Sequence, residues 1–270
     1  MSYKKKMSAP TYYLTHKDEF RGESGHEKIV QLLIEHNQQE KEGTFVIGID
    51  VGANVGKYIP NIRSLCTEAN HKIICVEPNH LNYVKLEEVV TDDILLVKKA
   101  VSNEKGVLPF YSYHEVNYGG NPHGGLFSGS IGNVIENVDV TTLDDIVESM
   151  GVEDYVVKFV KIDTEGHDTM VIEGMSKILA HTKYIIFECS DCLDDARGPG
   201  KEKPMKRVVE FLDAHDFDVY RLGTTRLLKV NGDGWNDVYE HVKFWSNCFA
   251  IRKDDTLMEK LIDSDGFFIV

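Results

Sequence analysis

The stretch Thr44-Phe-Val-Ile-Gly-Ile-Asp-Val-Gly-Ala-Asn-Val-Gly56 decides the fold of this 270-residue chain. It begins with a run of apolar and β-branched residues, which is typical of a strand that is buried on both faces. It continues into a turn that contains Gly52 and Gly56, where the backbone can bend tightly and a ligand can approach closely. In α/β sheets, a turn of this kind beyond the carboxyl end of a strand is a nucleotide-binding site.

The same change from apolar run to helical segment recurs along the chain. The runs that predict strands are Thr44–Val51, His71–Val76, Ile94–Val101, Val156–Ile162, Tyr184–Phe187, Asp218–Leu222 and Phe244–Ile251. The segments that predict helices are Tyr58–Asn70, His80–Val90, Thr169–Ala180 and Lys203–His215. This alternation is the signature of a doubly wound α/β sheet. Gly223–Lys243 contains no convincing helix, so the last two strands are predicted to form an antiparallel hairpin at the sheet edge.

The pattern divides the chain into three regions. Residues 1–43 are interpreted as an N-terminal extension with one helix, 44–252 as the main domain and 253–270 as a C-terminal tail. Within the extension, Met1–Gly22 is interpreted as an appendage. Ser24–Glu27 has the spacing of a capping box, in which a hydroxyl and a carboxylate satisfy the first N–H groups of a helix.

A glycine-rich insertion at 107–142 interrupts the alternation. Its ends, Val107–Tyr113 and Val138–Thr142, are predicted to be short extra strands. Asn117–Asn133 lies between them and holds six glycines in 17 residues. Loops of this length inside a compact domain are uncommon and are often functional, so the segment is interpreted either as a lid over the site or as a mobile surface excursion.

The charge of the chain disfavours a polyanionic partner. Its 30 Lys and Arg residues against 44 Asp and Glu give a net charge of −14, whereas nucleic acid and anionic membranes select for basic surfaces. The basic run Lys4–Lys6 is interpreted as a solvated tail. A local patch of Lys201, Lys203, Lys206 and Arg207 is the one feature that keeps a nucleic-acid substrate under consideration.

The cysteines and the apolar segments indicate a cytoplasmic protein. The five cysteines are odd in number and scattered, which is a poor disulfide framework and favours a reducing compartment. Cys189 and Cys192 form a single C-x-x-C pair, which cannot complete a tetrahedral zinc site. No segment approaches the roughly 20 apolar residues of a membrane span, and the N-terminus lacks the apolar core of a secretion signal. The sequence does not indicate an oligomeric state.

The composition of the turn favours one nucleotide cofactor over another. Aligned on Gly52, the dinucleotide fingerprint G-x-G-x-x-G would need glycines where this chain has Asp50 and Val55. A carboxylate is a poor neighbour for a pyrophosphate, but it suits a ligand that carries an ammonium and a sulfonium, as S-adenosylmethionine does. Glu77 follows Gly56 by 21 residues, a distance at which an acidic residue accepts hydrogen bonds from ribose hydroxyls.

Several motifs in order resemble the FkbM family of S-adenosylmethionine-dependent methyltransferases. They are Ile49–Gly56, Val76–Asn79, Ala100–Asn103, Thr142–Asp145, Val160–His167, Val171–Gly174 and Ile185–Glu188, with a weaker match around Trp245–Ile251. The resemblance implies the Rossmann-like class I methyltransferase fold, a mostly parallel seven-stranded sheet with one antiparallel strand near its edge. It also implies O-methyl transfer, commonly to hydroxyls of sugars or natural products.

The resemblance also assigns cofactor contacts. Asp50, Gly52, Asn54 and Gly56 would hold the methionine part of S-adenosylmethionine. Glu77 would hold the ribose, and Ala100 with Val101 would lie by the adenine, although ordinary strand residues are the alternative for these two. The full set of predicted cofactor-binding residues is Asp50, Gly52, Ala53, Asn54, Gly56, Glu77, Pro78, Ala100, Val101 and Asp163.

Four polar residues after the strand Val156–Ile162 are the candidates for catalysis. His167 is the predicted general base for the acceptor hydroxyl, with Glu165 or Asp163 orienting it or acting instead. The less favoured alternative is a divalent metal ion on Asp163 and Glu165, with Glu188 or Asp191 as further ligands. Asp168 is interpreted as the N-cap of the following helix.

These observations together predict an S-adenosylmethionine-dependent O-methyltransferase that acts on a small hydroxylated acceptor, a sugar or a metabolite. Three alternatives stay open at this point. They are a catalytically silent S-adenosylmethionine-binding module, a nucleic-acid cap methyltransferase and an NAD-dependent oxidoreductase.

Overall fold

A computed structural model describes residues 8–112, 124–126, 133–188, 205–241, 246–263 and 268–269. Its strands are β1 (Phe45–Val51), β2 (His71–Val76), β3 (Ile94–Val97), β4 (Ala100–Val101), β5 (Gly106–Ser112), β6 (Gly124–Gly125), β7 (Asn133–Thr141), β8 (Tyr155–Ile162), β9 (Thr182–Glu188), β10 (Phe217–Leu222), β11 (Arg226–Lys229), β12 (Asn247–Arg252) and β13 (Phe268–Ile269). Its α-helices are α1 (Ala9–Thr15), α2 (His26–Glu35), α3 (Ile59–Leu65), α4 (His80–Glu87), α5 (Leu143–Glu148), α6 (Asp168–Glu173), α7 (Met205–Ala214), α8 (Val238–His241) and α9 (Leu257–Asp263).

The central sheet has nine strands in the order β13-β11-β10-β12-β9-β8-β1-β2-β3. β1 is parallel to β2 and β8, and β9 is parallel to β8. Only β12 within the run from β10 to β3 is antiparallel to its neighbours. These seven strands confirm the predicted mostly parallel class I methyltransferase sheet, and β11 and β13 extend it to nine.

The predicted hairpin is paired as expected but is not at the edge. β10 and β12 are antiparallel partners, and β12 lies between β10 and β9. The other side of β10 is covered by β11, which in turn pairs with β13. β11 and α8 both come from Gly223–Lys243, where four-residue elements are too short to show a sequence period.

The strand predicted over Ile94–Val101 is in fact two strands in different sheets. β3 ends at Val97, and β4 belongs to a second sheet of order β4-β7-β5-β6. The interruption is Lys98 and Lys99, which are both exposed and cannot continue a buried strand. The two strands predicted for the insertion are present as β5 and β7. Most of the candidate lid Asn117–Asn133 lies outside the described residues.

The N-terminal region packs into the core. Tyr13 and Phe20 are fully buried, and Arg221 donates a hydrogen bond of 2.7 Å to the Tyr13 hydroxyl. The interpretation of Met1–Gly22 as an appendage is therefore wrong for residues 8–22. The capping box is also wrong, because Ser24 Oγ donates to the Arg21 carbonyl and α2 begins without a side-chain cap.

Close packing places α3 directly on β1. A Cβ at Gly48 would lie 2.2 Å from Ile62 Cγ2, so a larger residue there would force the Ile62 side chain or the helix to shift. The predicted helices are present but shorter than expected, and α4 begins where Asn79 Oδ1 accepts from the N–H groups of Leu81 and Asn82. In the described part of the chain no helix is long and apolar enough to span a membrane.

Candidate active site

The turn after β1 is held against the end of β8. Gly52, Asn54 and Gly56 all have positive φ angles of 78°, 50° and 81°. A Cβ at Gly52 would lie 1.9 Å from the Asp163 carbonyl oxygen, and Asp163 N donates to the Val51 carbonyl at 3.0 Å. Glycine is therefore required at position 52 both by the backbone angle and by this close approach.

Glu77, at the carboxyl end of β2, holds the other side of the turn. Its Oε2 accepts from Asn54 N at 2.8 Å, and its Oε1 accepts from Asn79 N at 2.9 Å. The Asn82 side chain is a third donor. A carboxylate accepts about four hydrogen bonds, so Glu77 has capacity for about one ribose hydroxyl rather than two. Burial raises the pKa of Glu77 to about 7, although its backbone donors oppose the change.

A cavity of about 500 Å³ opens between this turn and the ends of β2, β8 and β9. Its size is within the range of small-molecule sites. Most of the predicted site residues line it, namely Gly52, Ala53, Asn54, Glu77, Pro78, Ala100, Val101, Asp163, Glu165 and His167. The turn, the ribose candidate and the catalytic candidates therefore share one space.

Two predicted residues, Asp50 and Gly56, do not line the cavity. Asp50 is fully buried within β1, and neither of its carboxylate oxygens accepts a hydrogen bond from the described residues. Burial raises the pKa of Asp50, and Lys161 opposes that change. Gly56 faces the protein interior, where a Cβ would lie 2.8 Å from Leu86 Cδ1.

Lys161 is the residue that explains the buried Asp50, and sequence reasoning missed it. Its Nζ lies 3.5 Å from Asp50 Oδ1 and 3.2 Å from Asp163 Oδ2. Burial acts to lower the pKa of Lys161, but Asp163 and Asp50 raise it well above its usual value, so the side chain is a cation. A lysine within an apolar strand is itself a signal, because a buried ammonium needs a carboxylate partner.

Asp168 holds the loop that carries the catalytic candidates. Its carboxylate accepts from Thr164 N at 3.4 Å and from Gly166 N at 3.3 Å. Asp168 is the first residue of α6 rather than its N-cap, which is His167 without a side-chain cap. The loop also contains Glu165 with a φ of 54°, a conformation that few non-glycine residues adopt.

His167 is buried and lies at the end of the cavity where the second sheet begins. Its Nε2 is 2.9 Å from Ser102 Oγ, and Ser102 directly follows Ala100 and Val101. Gly174 on the same side has no room for a Cβ, which would lie 2.1 Å from the Ser102 carbonyl oxygen. The predicted base is therefore next to the segment expected to hold the adenine.

Another part of the cavity wall is built from residues that, apart from the possible metal ligand Glu188, the sequence did not identify as a site. They are Glu23, His26, Glu27, Tyr58, Glu188 and Asn247. These residues come from the N-terminal region, the start of α3, the end of β9 and the start of β12. No sequence spacing connects them, because the sheet order alone brings these elements together.

The described residues include no group of three His, Cys, Asp or Glu side chains arranged to hold a metal ion. Glu188 lines the cavity, whereas Asp191 lies outside the described residues. So do Cys189 and Cys192, while Cys66, Cys75 and Cys248 are buried free thiols.

The structure describes two of the four residues of the basic patch that kept a nucleic-acid substrate under consideration, Lys206 and Arg207. Arg207 forms a two-bond ion pair with Glu173 at 2.6 and 2.7 Å, and Lys206 Nζ is 3.8 Å from Asp237. Lys201 and Lys203 lie outside the described residues. The described part of the patch is thus matched by acidic partners.

Comparison with known proteins places these features in a family. The FkbM methyltransferase domain model matches residues 50–220. No curated protein matches the sequence. Among solved structures, the chain is similar to the methyltransferase FkbM from Methylobacillus flagellatus KT, with 13% identity and a TM-score of 0.47 over 90% of this chain and 50% of that one. The chain thus spans about half the length of that relative.

Two further structures share similarity at low identity. The N-terminal domain of human METTL16 in complex with SAH is 12% identical, with a TM-score of 0.41 over 85% of this chain and 69% of that one. A SAM dependent methyltransferase from Aquifex aeolicus is 12% identical, with a TM-score of 0.39 over 92% of this chain and all of that one.

Proposed function

The chain belongs to the FkbM methyltransferase family, and from that premise we propose that it transfers a methyl group from S-adenosylmethionine to a hydroxyl oxygen of a small molecule or sugar. The bound cofactor would supply an electrophilic methyl group on a positively charged sulfur. The protein itself then has to bind the cofactor, align the acceptor oxygen with the methyl group and accept the hydroxyl proton.

The charge of the cavity lining is the observation that carries the choice of cofactor. Its acidic side chains outnumber its lysines, with Glu23, Glu27, Glu77, Asp163, Glu165 and Glu188 against Lys57, Lys99 and Lys161. Acidic walls stabilise a ligand with an ammonium and a sulfonium. They repel the pyrophosphate of a dinucleotide, which prefers basic groups and free backbone N–H donors.

Within this proposal Glu77 and the turn after β1 divide the binding of the cofactor. Glu77 accepts one hydrogen bond from a ribose hydroxyl with its remaining lone pair. The glycine turn leaves space for the methionine part of the cofactor. Asp50 acts indirectly, because it fixes Lys161, which in turn fixes Asp163 at the cavity wall. Asp163 and Glu165 stay predicted catalytic residues that orient the base or act in its place, and Asp163 also stays a predicted cofactor contact.

A thermal melt in the presence of S-adenosylmethionine, S-adenosylhomocysteine and NAD tests the proposal. A ligand at about 100 times its Kd stabilises a protein by about 2.7 kcal/mol, which raises the Tm of a domain of this size by roughly 5–10 °C. We expect that rise with the two sulfur compounds alone. A rise with NAD alone, or with none of the three, would refute the cofactor assignment.

Paired variants separate specific binding from general stabilisation. Glu77→Ala removes the ribose contact and the acceptor for the backbone N–H groups of Asn54 and Asn79, so we expect the rise in Tm with S-adenosylhomocysteine to disappear. Glu87→Ala changes an exposed glutamate on α4 and should leave the rise unchanged. Release of S-adenosylhomocysteine during incubation with hydroxylated acceptors then distinguishes an enzyme from a silent binding module.

A further inference from the structure

The sheet order indicates which end of the cavity faces the transferring methyl group. This inference rests on the proposed function. Glu77 ends β2, and Ala100 and Val101 follow β3, so the expected ribose and adenine contacts all lie on one side of β1. The methionine part and its sulfur must then extend towards the other side, where β8, β9 and β12 end. The acceptor hydroxyl has to lie at that end.

The N-terminal region closes the cavity at that end. Gly22 forms an isolated parallel bridge with Ser246, just before β12. Asn247 Nδ2 donates to Glu23 Oε2 at 3.0 Å, which ties the segment before α2 to the sheet a second time. These contacts hold the first residue of α2, His26, at the cavity wall.

His26 connects a carboxylate to a phenol. Its Nε2 lies 2.9 Å from the Tyr58 hydroxyl, and its Nδ1 lies 3.0 Å from Glu23 Oε2. The second contact has the distance of an ion pair but lacks hydrogen-bond geometry, and the Glu23 side chain is 67% exposed. Glu23 therefore acts on the ring through its charge, and the Tyr58 contact is the stronger of the two.

The Tyr58 ring packs against two side chains of β8, Phe159 and Lys161. It stacks on Phe159 with a centroid distance of 6.0 Å and an interplanar angle of 18°. The Lys161 ammonium lies 5.3 Å from its centroid. Because the ring is held in place, its hydroxyl has a defined position between His26 and the cavity.

We propose that Tyr58, with His26 as its positioning residue, receives the proton of the acceptor hydroxyl, and that His167 does not. A carboxylate accepts and never donates hydrogen bonds, so of the two neutral tautomers of His26 the one with its proton on Nδ1 is favoured next to Glu23. Nε2 then has a free lone pair, and the Tyr58 hydroxyl donates to it. The phenol oxygen in turn has lone pairs for the acceptor hydroxyl.

The proton transfer and the methyl transfer balance as follows. The acceptor oxygen forms a bond to the methyl carbon, and the carbon–sulfur bond breaks with its electron pair staying on sulfur. The acceptor proton moves to Tyr58 Oη while the Tyr58 proton moves to His26 Nε2. The products are the methyl ether, neutral S-adenosylhomocysteine and an imidazolium next to Glu23, which later releases its proton to water.

The surroundings of Tyr58 favour this relay over a free phenolate. Burial raises the pKa of Tyr58, as does Asp50, although Lys161 opposes them. The Tyr58 hydroxyl is therefore protonated at neutral pH. It can accept the proton of the acceptor hydroxyl only if it donates its own proton to His26 Nε2. His167 has its Nε2 2.9 Å from Ser102 Oγ, next to the segment expected to hold the adenine.

Two cofactor analogues test the assignment without knowledge of the acceptor. In one analogue the sulfonium carries a 2-hydroxyethyl group in place of methyl, so that its hydroxyl occupies the place of the acceptor oxygen. The other carries a propyl group of similar size. Calorimetry measures the Kd of both analogues and of S-adenosylhomocysteine for the wild type, Tyr58→Phe and His167→Gln.

We expect the wild type to bind the hydroxyethyl analogue about tenfold more tightly than the propyl analogue, as one buried hydrogen bond would give. Tyr58→Phe should remove this preference and leave the Kd of S-adenosylhomocysteine within twofold. His167→Gln should retain the preference. A melting curve close to that of the wild type confirms that each variant folds.

Each other outcome has a defined meaning. The inference is overturned if the wild type binds S-adenosylhomocysteine but does not prefer the hydroxyethyl analogue to the propyl analogue. It is also overturned if the wild type binds neither of these two longer analogues. A preference that survives Tyr58→Phe or depends on His167 overturns it as well. An equal loss for all three ligands in Tyr58→Phe would place Tyr58 on the methionine part instead. Wild type that binds none of them refutes the proposed function itself.

Nitrogen-15 NMR of histidine-labelled protein tests the positioning role of His26. The neutral ring should carry its proton on Nδ1, and the Nε2 resonance should shift when Tyr58→Phe removes the donor. A purely structural His26 would show no such shift, and a proton on Nε2 would overturn the relay.

Discussion

Replacing Glu77 by glutamine should change how the stability of the protein depends on pH. In the wild type both carboxylate oxygens of Glu77 accept backbone N–H groups, from Asn54 and from Asn79. An amide has only one oxygen, so Glu77→Gln presents an NH₂ group to one of these donors. A buried N–H that loses its acceptor costs about 1–3 kcal/mol, and this cost does not vary with pH.

The carboxyl group adds a contribution that does vary with pH. Burial raises the pKa of Glu77 from 4.5 to about 7 in the folded protein. Between these values the folded protein holds a proton that the unfolded chain has released, so the free energy of unfolding falls as the pH rises through the window. At about 1.4 kcal/mol per pH unit the full effect is about 3 kcal/mol. About 2 kcal/mol of it falls between pH 5.5 and pH 8.

Urea denaturation at several pH values measures this effect. The acid limit of pH 5.5 stays above the isoelectric point of about 5.2. We expect the stability difference between wild type and Glu77→Gln to shrink by about 2 kcal/mol from pH 5.5 to pH 8. The exposed control Glu87→Gln should follow the wild type throughout. Parallel curves for wild type and Glu77→Gln would refute the reasoning that burial perturbs this carboxyl group.

Three further substitutions test other parts of the site. Gly52→Ala places a Cβ 1.9 Å from the Asp163 carbonyl oxygen at a φ of 78°; we expect it to destabilise the protein by about 1–3 kcal/mol and to weaken S-adenosylhomocysteine binding at least tenfold by calorimetry. Lys161→Met leaves the buried Asp50 without its cation and should cost about 3–5 kcal/mol in urea unfolding; a cost below 1 kcal/mol would contradict the ion pair. Asn79→Ala removes the N-cap of α4 and should cost about 1 kcal/mol, whereas Asn79→Ser should retain most of the stability.

The fold was predictable because its signals are local. Apolar runs such as His71–Val76 and Val156–Ile162 have the length and β-branched content typical of buried strands, and the turn from Gly52 to Gly56 needed backbone angles that glycine adopts readily. The FkbM resemblance has the same origin, since motifs such as Val76–Asn79 and Val160–His167 lie at the ends of these strands. Boundaries were less accurate, because exposed residues such as Lys98 ended β3 without a change in the surrounding pattern.

The errors have two physical causes, which are contacts distant in sequence and local side chains that bond to a neighbouring loop rather than to a helix N-terminus. Nothing near Tyr13 shows that its hydroxyl meets Arg221, 208 residues further along the chain. Asp168 has the spacing of an N-cap, but its carboxylate is oriented towards the preceding loop instead.

The sequence by itself determined the main strands of the central sheet, the glycine turn and the acidic residue that follows β2, because each depends on backbone conformation and burial within a short segment. Only the tertiary structure decided which side chains share the cavity. In the folded protein Asp50 pairs with Lys161 and does not line the cavity. His167 lies beside Ser102, and His26 lies beside Tyr58. These pairings follow from sheet order and helix packing, which bring together residues that are far apart in the sequence or that no motif connects.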